Sequence, residues 1–159
     1  MAHALLSNPY NKDSFKDLVH GSCLCGAITF TLAGAPSTTV LCHCLSCKKS
    51  SGSAFQANGF YENSQLQILS GDQEIKTYTD TSPDCGAIVY RVFCSTCGSR
   101  LWNRNPKYPD ALIVNSGVLD LGEEGWRVWK PESEFYCKRK GDWLAELGTA
   151  KEKRFLAMS

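Results

Sequence analysis

Short segments with alternating apolar and polar residues recur along the chain, separated by turn residues. The clearest is residues 27–32, Ala-Ile-Thr-Phe-Thr-Leu, in which alternate side chains would point into a core and toward solvent. Similar patterns predict strands at residues 38–41, 53–60, 66–69, 75–79, 88–93, 100–102 and 112–115. This recurrence of short strands and turns favours an all-β or strongly β-rich domain.

Helical patterns are weak by comparison. Residues 13–18 and the segment from Asp142 are the two places where a short helix could begin, and no stretch has a strong amphipathic period. Residues 1–18 carry no candidate catalytic group beyond His3, so we interpret them as an N-terminal extension. The charged residues 151–154 are interpreted as a solvated end of the chain.

Composition narrows the class of protein. The 159 residues suffice for one domain that buries roughly two-thirds of its unfolded surface. The net charge of +1 does not favour nucleic acid or an anionic membrane as a partner. No apolar run approaches the roughly 20 residues that span a bilayer, and residues 1–10 lack the pattern of a signal peptide. We therefore expect a cytoplasmic protein with no membrane segment, whose cysteines stay reduced.

Seven of the nine cysteines fall into three clusters, and two of these clusters predict a closed metal site. Cys23 and Cys25 are two residues apart, so in an extended strand both sulfurs point to one side. Cys94 and Cys97 have the spacing of a metal-binding turn. Together the four thiolates would form a tetrahedral structural zinc site with Zn–S distances near ~2.3 Å. Such a site closes a loop of about 70 residues, which costs an unlinked chain roughly 4 kcal/mol, so the metal would contribute to folding.

The third cluster, Cys42, Cys44 and Cys47, predicts an open metal site. Three protein ligands with one free position are typical of catalytic zinc. Three thiolates give such a site a formal charge of −1, which suits it to holding a soft thiolate better than to activating water. The alternative is a zinc site that serves only as scaffold. His43, between two of the ligands, would point away from the metal in an extended segment; a packing role is favoured and a catalytic role as proton shuttle is kept open.

Other residues near the clusters have weaker signals. Lys48 and Lys49 could attract an anionic ligand, although a solvated pair of charges is the simpler interpretation. Cys85 and Cys137 are interpreted as reduced thiols, and Cys137 is the first candidate to approach the open metal because late segments often close over a site.

No glutamate occurs between Cys23 and Phe60, which argues against a zinc deaminase. The four tryptophans are expected in the core or at an interface, with one or two lining a pocket: Trp102, Trp126, Trp129 and Trp143.

The cysteine-containing motifs resemble those of the glutathione-dependent formaldehyde-activating enzyme family, which includes centromere protein V. The matching segments are Gly21-Ser22-Cys23-Leu24-Cys25-Gly26, residues 42–52 from Cys42-His43-Cys44 to Ser51-Gly52, and Phe93-Cys94-Ser95-Thr96-Cys97-Gly98-Ser99. The resemblance covers residues 19–145, the expected zinc domain, and leaves residues 146–159 as a C-terminal tail. It implies a β-tent fold of small antiparallel sheets with few short helices, two zinc ions per chain, and carbon–sulfur lyase chemistry on an adduct of glutathione and an aldehyde.

Three functions follow as hypotheses. The first is a zinc-dependent carbon–sulfur lyase whose partner is a small thiol or thiol adduct, with glutathione as a cosubstrate. The second is a specialised metabolic enzyme on the same scaffold that does not use glutathione. The third is a non-catalytic zinc module that binds protein or nucleic acid; it is less favoured because the basic cluster Lys138-Arg139-Lys140 is short. A homo-oligomer is compatible with each.

Overall fold

The computed structural model describes residues 18–146 and 153–157, and within these ranges the domain is mainly β. Its helices and strands are β1 (Leu18–Ser22), β2 (Thr29–Ala33), β3 (Thr38–Cys42), α1 (Leu45–Ser51), β4 (Gln56–Glu62), β5 (Leu66–Ser70), β6 (Ile75–Asp80), β7 (Val89–Cys94), β8 (Arg100–Asn105), β9 (Tyr108–Asn115), α2 (Gly122–Val128) and β10 (Ser133–Phe135). The β-rich fold class is therefore confirmed. Almost all of the predicted N-terminal extension, and residues 147–152 and 158–159 of the predicted tail, lie outside the described residues. No helix within the described ranges is long and apolar enough to cross a membrane.

The strands form two sheets. A three-stranded antiparallel sheet has the order β1-β2-β5, and a seven-stranded sheet has the order β10-β3-β4-β9-β8-β7-β6. In the larger sheet only the edge pair β10 and β3 is parallel among the described strands. The long connection between these two strands, from residue 43 to residue 132, carries most of the domain and returns the chain to the edge where Cys42 lies.

The seven-stranded sheet has different environments on its two faces. On one face Trp102 is buried against Phe30 of the small sheet, with the ring centroids 5.5 Å apart and the rings nearly perpendicular. This contact lies in the main hydrophobic core, as the alternation of apolar residues predicts. On the opposite face, cross-strand pairing brings Arg91 beside Asn103 and Asn103 beside Ile113. This second face forms the floor of a cavity.

The end of the described chain packs along β10. The backbone N–H of Phe155 donates to the carbonyl of Glu134, and the N–H of Cys137 donates to the carbonyl of Phe155. The fully buried Glu134 carboxylate meets His43 Nε2 at 2.9 Å and Lys140 Nζ at 3.0 Å. Buried carboxylates need partners of this kind, since an unpaired one is costly. These contacts fix the position of the residues that immediately follow Glu134.

One prediction about the late segments differs from the structure. Residues 142–144 form a turn instead of beginning a helix, and Trp143 is 76% exposed. Trp126 is also exposed, whereas Trp102 is in the core as expected. Short helices depend on packing of an apolar face, and the exposed Trp143 supplies no such packing.

Candidate metal centre

The four-cysteine cluster is formed by two similar turns. Cys23 directly follows β1, and Cys94 is the last residue of β7. In the first turn the N–H of Gly26 donates to the carbonyl of Cys23, and in the second the N–H of Gly98 donates to the carbonyl of Cys94, both at 2.9 Å. Both glycines have positive φ, 74° and 73°, a backbone conformation that other residues adopt at a cost. The turns therefore curl the backbone so that two pairs of sulfurs face each other.

The distances between the sulfurs fit a tetrahedral zinc ion. The Sγ atoms of Cys23 and Cys25 are 3.5 Å apart and those of Cys25 and Cys94 are 3.9 Å apart. All four Sγ atoms, including that of Cys97, lie within 4.8 Å of one another. Zn–S bonds of ~2.3 Å in a tetrahedron place sulfurs about 3.8 Å apart. The structure thus brings together the four cysteines that the sequence spacing predicted as one cluster.

Hydrogen-bond donors beside Cys23 and Cys97 favour their thiolates, which are the form that binds metal. The backbone N–H of Ile28 donates to Cys23 Sγ at 3.3 Å. The Ser99 hydroxyl lies 3.2 Å from Cys97 Sγ and is the main cause that lowers the pKa of the Cys97 thiol to about 5. These residues therefore suit a closed four-thiolate site.

The three-cysteine cluster is built around a helix that the sequence did not predict. Cys42 ends β3, Cys44 is the N-cap of α1, and Cys47 lies in the first turn. The Cys44 sulfur accepts a hydrogen bond from the backbone N–H of Cys47 at 3.2 Å, and Gly52, with φ of 65°, ends the helix. The three Sγ atoms lie within 4.8 Å of one another, and all three residues are buried. They can occupy three corners of a tetrahedron and leave the fourth to a ligand.

Close packing of the three sulfurs gives their thiols different pKa values. Hydrogen bonds from the Cys42 and Cys47 thiols lower the pKa of the Cys44 thiol to about 3. The same contacts raise the pKa of Cys42, because its neighbour holds the negative charge more readily. Three sulfurs at this separation suit a shared cation, which replaces the protons between them.

A cavity of about 350 Å³ adjoins the three-cysteine cluster. Cys42, Cys44 and Cys47 form part of its wall, and Tyr136 packs against the three of them. The late segment closes over the site, as expected, through Phe135 and Tyr136. Cys137 was expected to approach the metal but does not line the cavity. Its sulfur points to the Glu134 carbonyl, 3.6 Å away. Cys85 lines the cavity instead. None of the four tryptophans is among the described residues that line it.

His43 lies outside the cavity wall. Its side chain is fully buried, its Nε2 meets Glu134, and its ring lies edge-on to Phe55. The Nδ1 atom has no hydrogen-bond partner among the described residues. This orientation agrees with the expectation that His43 points away from the sulfurs, and the geometry favours a packing role. Its role as proton shuttle stays a prediction.

Lys48 and Lys49 also lie outside the cavity wall. The Lys48 ammonium group donates to the backbone carbonyl of Arg139. It therefore joins α1 to the segment after β10, and an anion-attracting role has no support from its position.

Two functional candidates were missed by sequence reasoning. Arg91 is 4% exposed and donates through Nε and NH2 to one Asp80 carboxylate oxygen, both at 2.8 Å. Contacts with the Cys42 and Cys44 sulfurs dominate the pKa of Cys47, which is raised to about 12. The positive charge of Arg91 acts in the opposite, lowering direction on Cys47 and also acts to lower the pKa of Cys44. The only signal in the sequence was an arginine at an inward-facing position of a predicted strand.

Tyr136 is the second missed candidate. With φ of 58° it is the one non-glycine residue of the described chain that has positive φ. Such strain is costly and persists where the surrounding structure enforces it, often beside functional sites. The side chain is buried over the cysteines, and burial raises the pKa of its phenol to about 12. No sequence pattern marks this conformation.

We expect Arg91→Gln to weaken metal binding at the three-cysteine cluster by about tenfold, since one pKa unit of thiolate stabilisation corresponds to 1.36 kcal/mol. This substitution removes the positive charge that offsets the charge of the sulfurs, and Asp80 loses its ion-pair partner. Competition with a chromophoric chelator would measure the affinity. Arg91→Lys is the matched control, because it keeps the positive charge and loses the guanidinium contacts with Asp80 and Ser50. Equal affinity in Arg91→Gln and the native chain would contradict the assignment.

The fold and the two sulfur clusters define a small β protein organised around thiols that could hold metal ions. Residues 18–139 match the family model described as glutathione-dependent formaldehyde-activating enzyme, and the chain belongs to that family. The resemblance found in the cysteine motifs is thereby confirmed.

Two individual proteins are also similar. One is from Halomonas elongata and its name marks it as a candidate glutathione-dependent formaldehyde-activating enzyme; it is 27% identical over 104 residues, which are 65% of this chain and 66% of the relative. The chain thus spans just under two-thirds of that relative's length. The other is a crystal structure of a Rhodobacter sphaeroides protein, with a TM-score of 0.51 and 21% identity over 64% of this chain and 87% of that one. This second likeness shows the fold alone.

Proposed function

We propose that this chain is an enzyme that forms or breaks a carbon–sulfur bond between a small thiol and a carbonyl compound. The observation that carries the proposal is the position of three buried cysteine sulfurs in the wall of a cavity, beside a separate and complete four-sulfur cluster. A structural site alone would not need a ligand-sized cavity. The name of the family supports glutathione as the thiol and formaldehyde as the carbonyl compound.

The cofactors in this proposal are two zinc ions. Cys23, Cys25, Cys94 and Cys97 would hold a structural ion, and Cys42, Cys44 and Cys47 a catalytic one. The catalytic zinc would supply an open position for a soft thiolate. Clustered reduced thiols also support a cytoplasmic location.

The residues of the chain have separable tasks in this reaction. Arg91 offsets the negative charge of the sulfurs, and the apolar walls of the cavity exclude water that would compete with the thiol. In the forward direction the S–H bond of the thiol breaks and a C–S bond forms at the carbonyl carbon. The proton goes to the carbonyl oxygen, which becomes a hydroxyl, so the addition needs no oxidant or reductant.

A nucleic-acid-binding module has less support. Arg139 pairs with Asp84, and Lys140 pairs with the buried Glu134. Two of the three cations in the basic cluster are therefore engaged inside the domain. Phosphate contacts need cations that are free to reach the backbone of the nucleic acid.

NMR exchange spectroscopy can test the proposed reaction, because free aldehyde and thiol adduct give separate signals at equilibrium. We expect the zinc-loaded protein to accelerate the exchange for at least one pair from a panel of thiols, glutathione included, and aldehydes, formaldehyde included. Metal content per chain is measured on the same sample. Two ions per chain with no acceleration for any pair would contradict the proposed function.

A further inference from the structure

One cysteine of the cavity wall belongs to neither sulfur cluster. Cys85 is half-buried and lines the same cavity as the three-cysteine cluster. Its sulfur lies 3.9 Å from the Ala87 carbonyl, a long contact for a thiol, which is a weak donor. Tyr108 also lines the cavity and is 59% exposed, so the cavity can be reached from solvent. The proposed reaction gives this accessible thiol no task.

The turn that carries Cys85 is anchored beside the three-cysteine cluster. Its neighbour Asp84 accepts from the backbone N–H of Leu45 at 2.7 Å, and Leu45 directly follows the proposed ligand Cys44. Asp84 also pairs with Arg139, whose positive charge offsets that of the carboxylate. These contacts hold Cys85 at the cavity wall, and an anionic molecule would not meet an unpaired carboxylate there.

The ring of Tyr136 lies close to both Cys85 and the cluster. Its side chain packs against the three cluster cysteines. Burial is the main cause that raises the pKa of the Tyr136 phenol to about 12, and negative charge on the Cys85 sulfur comes next, ahead of that on Cys44 and Cys42. Charge interactions weaken with distance, so the Cys85 sulfur lies near this ring. A thiol bound at the cluster would therefore share one small space with Cys85.

Two buried asparagines of β8 point independently to a ligand in this cavity. Asn103 is 4% exposed, Asn105 is 9% exposed, and both line the cavity. Asn103 Oδ1 accepts from Arg100 NH2 at 3.1 Å, and Asn105 Oδ1 accepts from the backbone N–H of Lys107 at 2.9 Å. The Nδ2 amino groups have no hydrogen-bond partner among the described residues. Buried donors normally find an acceptor, and the amide carbonyls and carboxylates of a peptide thiol such as glutathione can supply one.

We propose that Cys85 is a modification site for the thiol that the cavity binds, and that the thiol attached there as a mixed disulfide blocks the catalytic site. This inference rests on the proposed function for the presence of a thiol in the cavity. The modifying molecule is the disulfide form of that thiol, because it carries the same groups for recognition and a sulfur that can be attacked.

The exchange step balances without a further reagent. The Cys85 thiolate attacks one sulfur of the disulfide, whose S–S bond breaks as a new S–S bond forms to Cys85. The other half leaves as a thiolate and takes up the proton that Cys85 has lost. The disulfide is the oxidant: the Cys85 sulfur is oxidised and the leaving sulfur is reduced.

The attached group would occupy the space of the substrate thiol over the three-cysteine cluster. Activity would therefore fall when the disulfide form of the thiol accumulates. Excess reduced thiol would restore it by the reverse exchange, because a mixed disulfide of this kind is a reversible modification. Cys85 would thus make a thiol-dependent enzyme sensitive to the redox state of its own substrate.

Glutathione disulfide and methyl methanethiosulfonate are the two probes for this site. The second is a small reagent that labels accessible thiols without recognition by a binding site. Peptide mass spectrometry of the zinc-loaded protein gives the rate of modification at Cys85 and at Cys137, the matched half-buried thiol outside both clusters. We expect the ratio of the Cys85 rate to the Cys137 rate to be at least about tenfold higher with glutathione disulfide than with the small reagent, which corresponds to 1.4 kcal/mol of recognition.

Asn103→Leu tests whether the asparagine donors take part in recognition. The variant should lower the Cys85 rate with glutathione disulfide by about 2- to 10-fold, the effect of one neutral hydrogen bond, and leave the rate with the small reagent unchanged. A folding defect would instead raise the small-reagent rates at several cysteines, and Asn105→Leu then provides the same test. Unchanged glutathione disulfide rates in both variants would contradict recognition by these donors.

The block is measured as carbon–sulfur exchange before and after treatment with glutathione disulfide. The native protein should lose activity and regain it with dithiothreitol, whereas Cys85→Ser should keep its own untreated level. Metal content is measured on the treated sample. Equal rate ratios for the two probes would overturn the inference, as would full activity of the modified protein or a loss of activity that follows loss of zinc.

These results separate failure of the modification site from failure of the proposed reaction. Selective modification of Cys85 in a protein that accelerates no thiol–carbonyl exchange would refute the reaction and leave the modification site standing. Accelerated exchange without selective modification of Cys85 would refute the modification site and leave the reaction standing.

Discussion

Cys94→Ser is expected to abolish stable folding of the domain, or to lower its Tm by more than about 10 °C, which corresponds to several kcal/mol for a domain of this size. Cys94 is fully buried at the end of β7, and its sulfur lies 3.9 Å from that of Cys25, 69 residues away in the sequence. Serine is close in size, so packing changes little and the loss is that of a thiolate ligand. Structural zinc contributes about 10–16 kcal/mol of apparent binding free energy in small domains, which is comparable with the whole stability of a typical domain.

Circular dichroism during heating and metal analysis of the same sample would measure this effect. The matched control is Cys137→Ser, because Cys137 is a partly buried thiol outside both clusters and should leave Tm within a few degrees of the native value. Excess chelator should reproduce the loss in the native chain. Full metal content and an unchanged Tm in Cys94→Ser would refute a structural role for the cluster.

The strands were largely predictable because their signal is local. The pattern at residues 38–41 became β3, and that at residues 112–115 became the second half of β9. The first half of β9 contains Pro109 and Asp110, which are poor strand formers, so the pattern did not extend there. The seven-residue helix α1 was missed because a helix of two turns has no room for an amphipathic period. It depends instead on its cap at Cys44 and on Gly52, which periodicity does not detect.

The sulfur clusters were predictable for the same reason, whereas the cavity was not. Spacings of two and three residues keep neighbouring sulfurs close enough to share one ion in several backbone conformations. Cys23 and Cys25 lie in a turn and not in the extended strand that was expected, yet their sulfurs are 3.5 Å apart. Arg91 and Asn103 share a site because they are cross-strand partners on β7 and β8, and a shift of one residue would send either of them to the core face. Tyr136 depends on a strained backbone held by distant contacts. Residues placed by register or strain have no signature in a single sequence.

Cys44→Ser is expected to reduce the carbon–sulfur exchange activity to the uncatalysed level and the metal content from two ions per chain to one, while the fold is kept. Cys44 is both a proposed ligand and the N-cap of α1, where its sulfur accepts the N–H of Cys47. Serine is a preferred N-cap, so the helix keeps its first turn, whereas alanine would lose the cap and about 1 kcal/mol. The hydroxyl is a poor substitute for a thiolate as a zinc ligand.

The comparison of Cys44→Ser with Cys44→Ala separates the two tasks of this residue. If the sulfur acts as a metal ligand, both variants lose activity, one ion per chain and the stability that this ion supplied. The alanine variant then unfolds at lower denaturant than the serine variant, because it also loses the cap, worth about 1 kcal/mol. Cys137→Ser is again the control, since its sulfur donates to the Glu134 carbonyl and the residue lies outside the cavity wall. Native turnover in Cys44→Ser would show that the three-cysteine cluster is a scaffold, because the buried sulfur at the cavity wall would then be dispensable for the reaction.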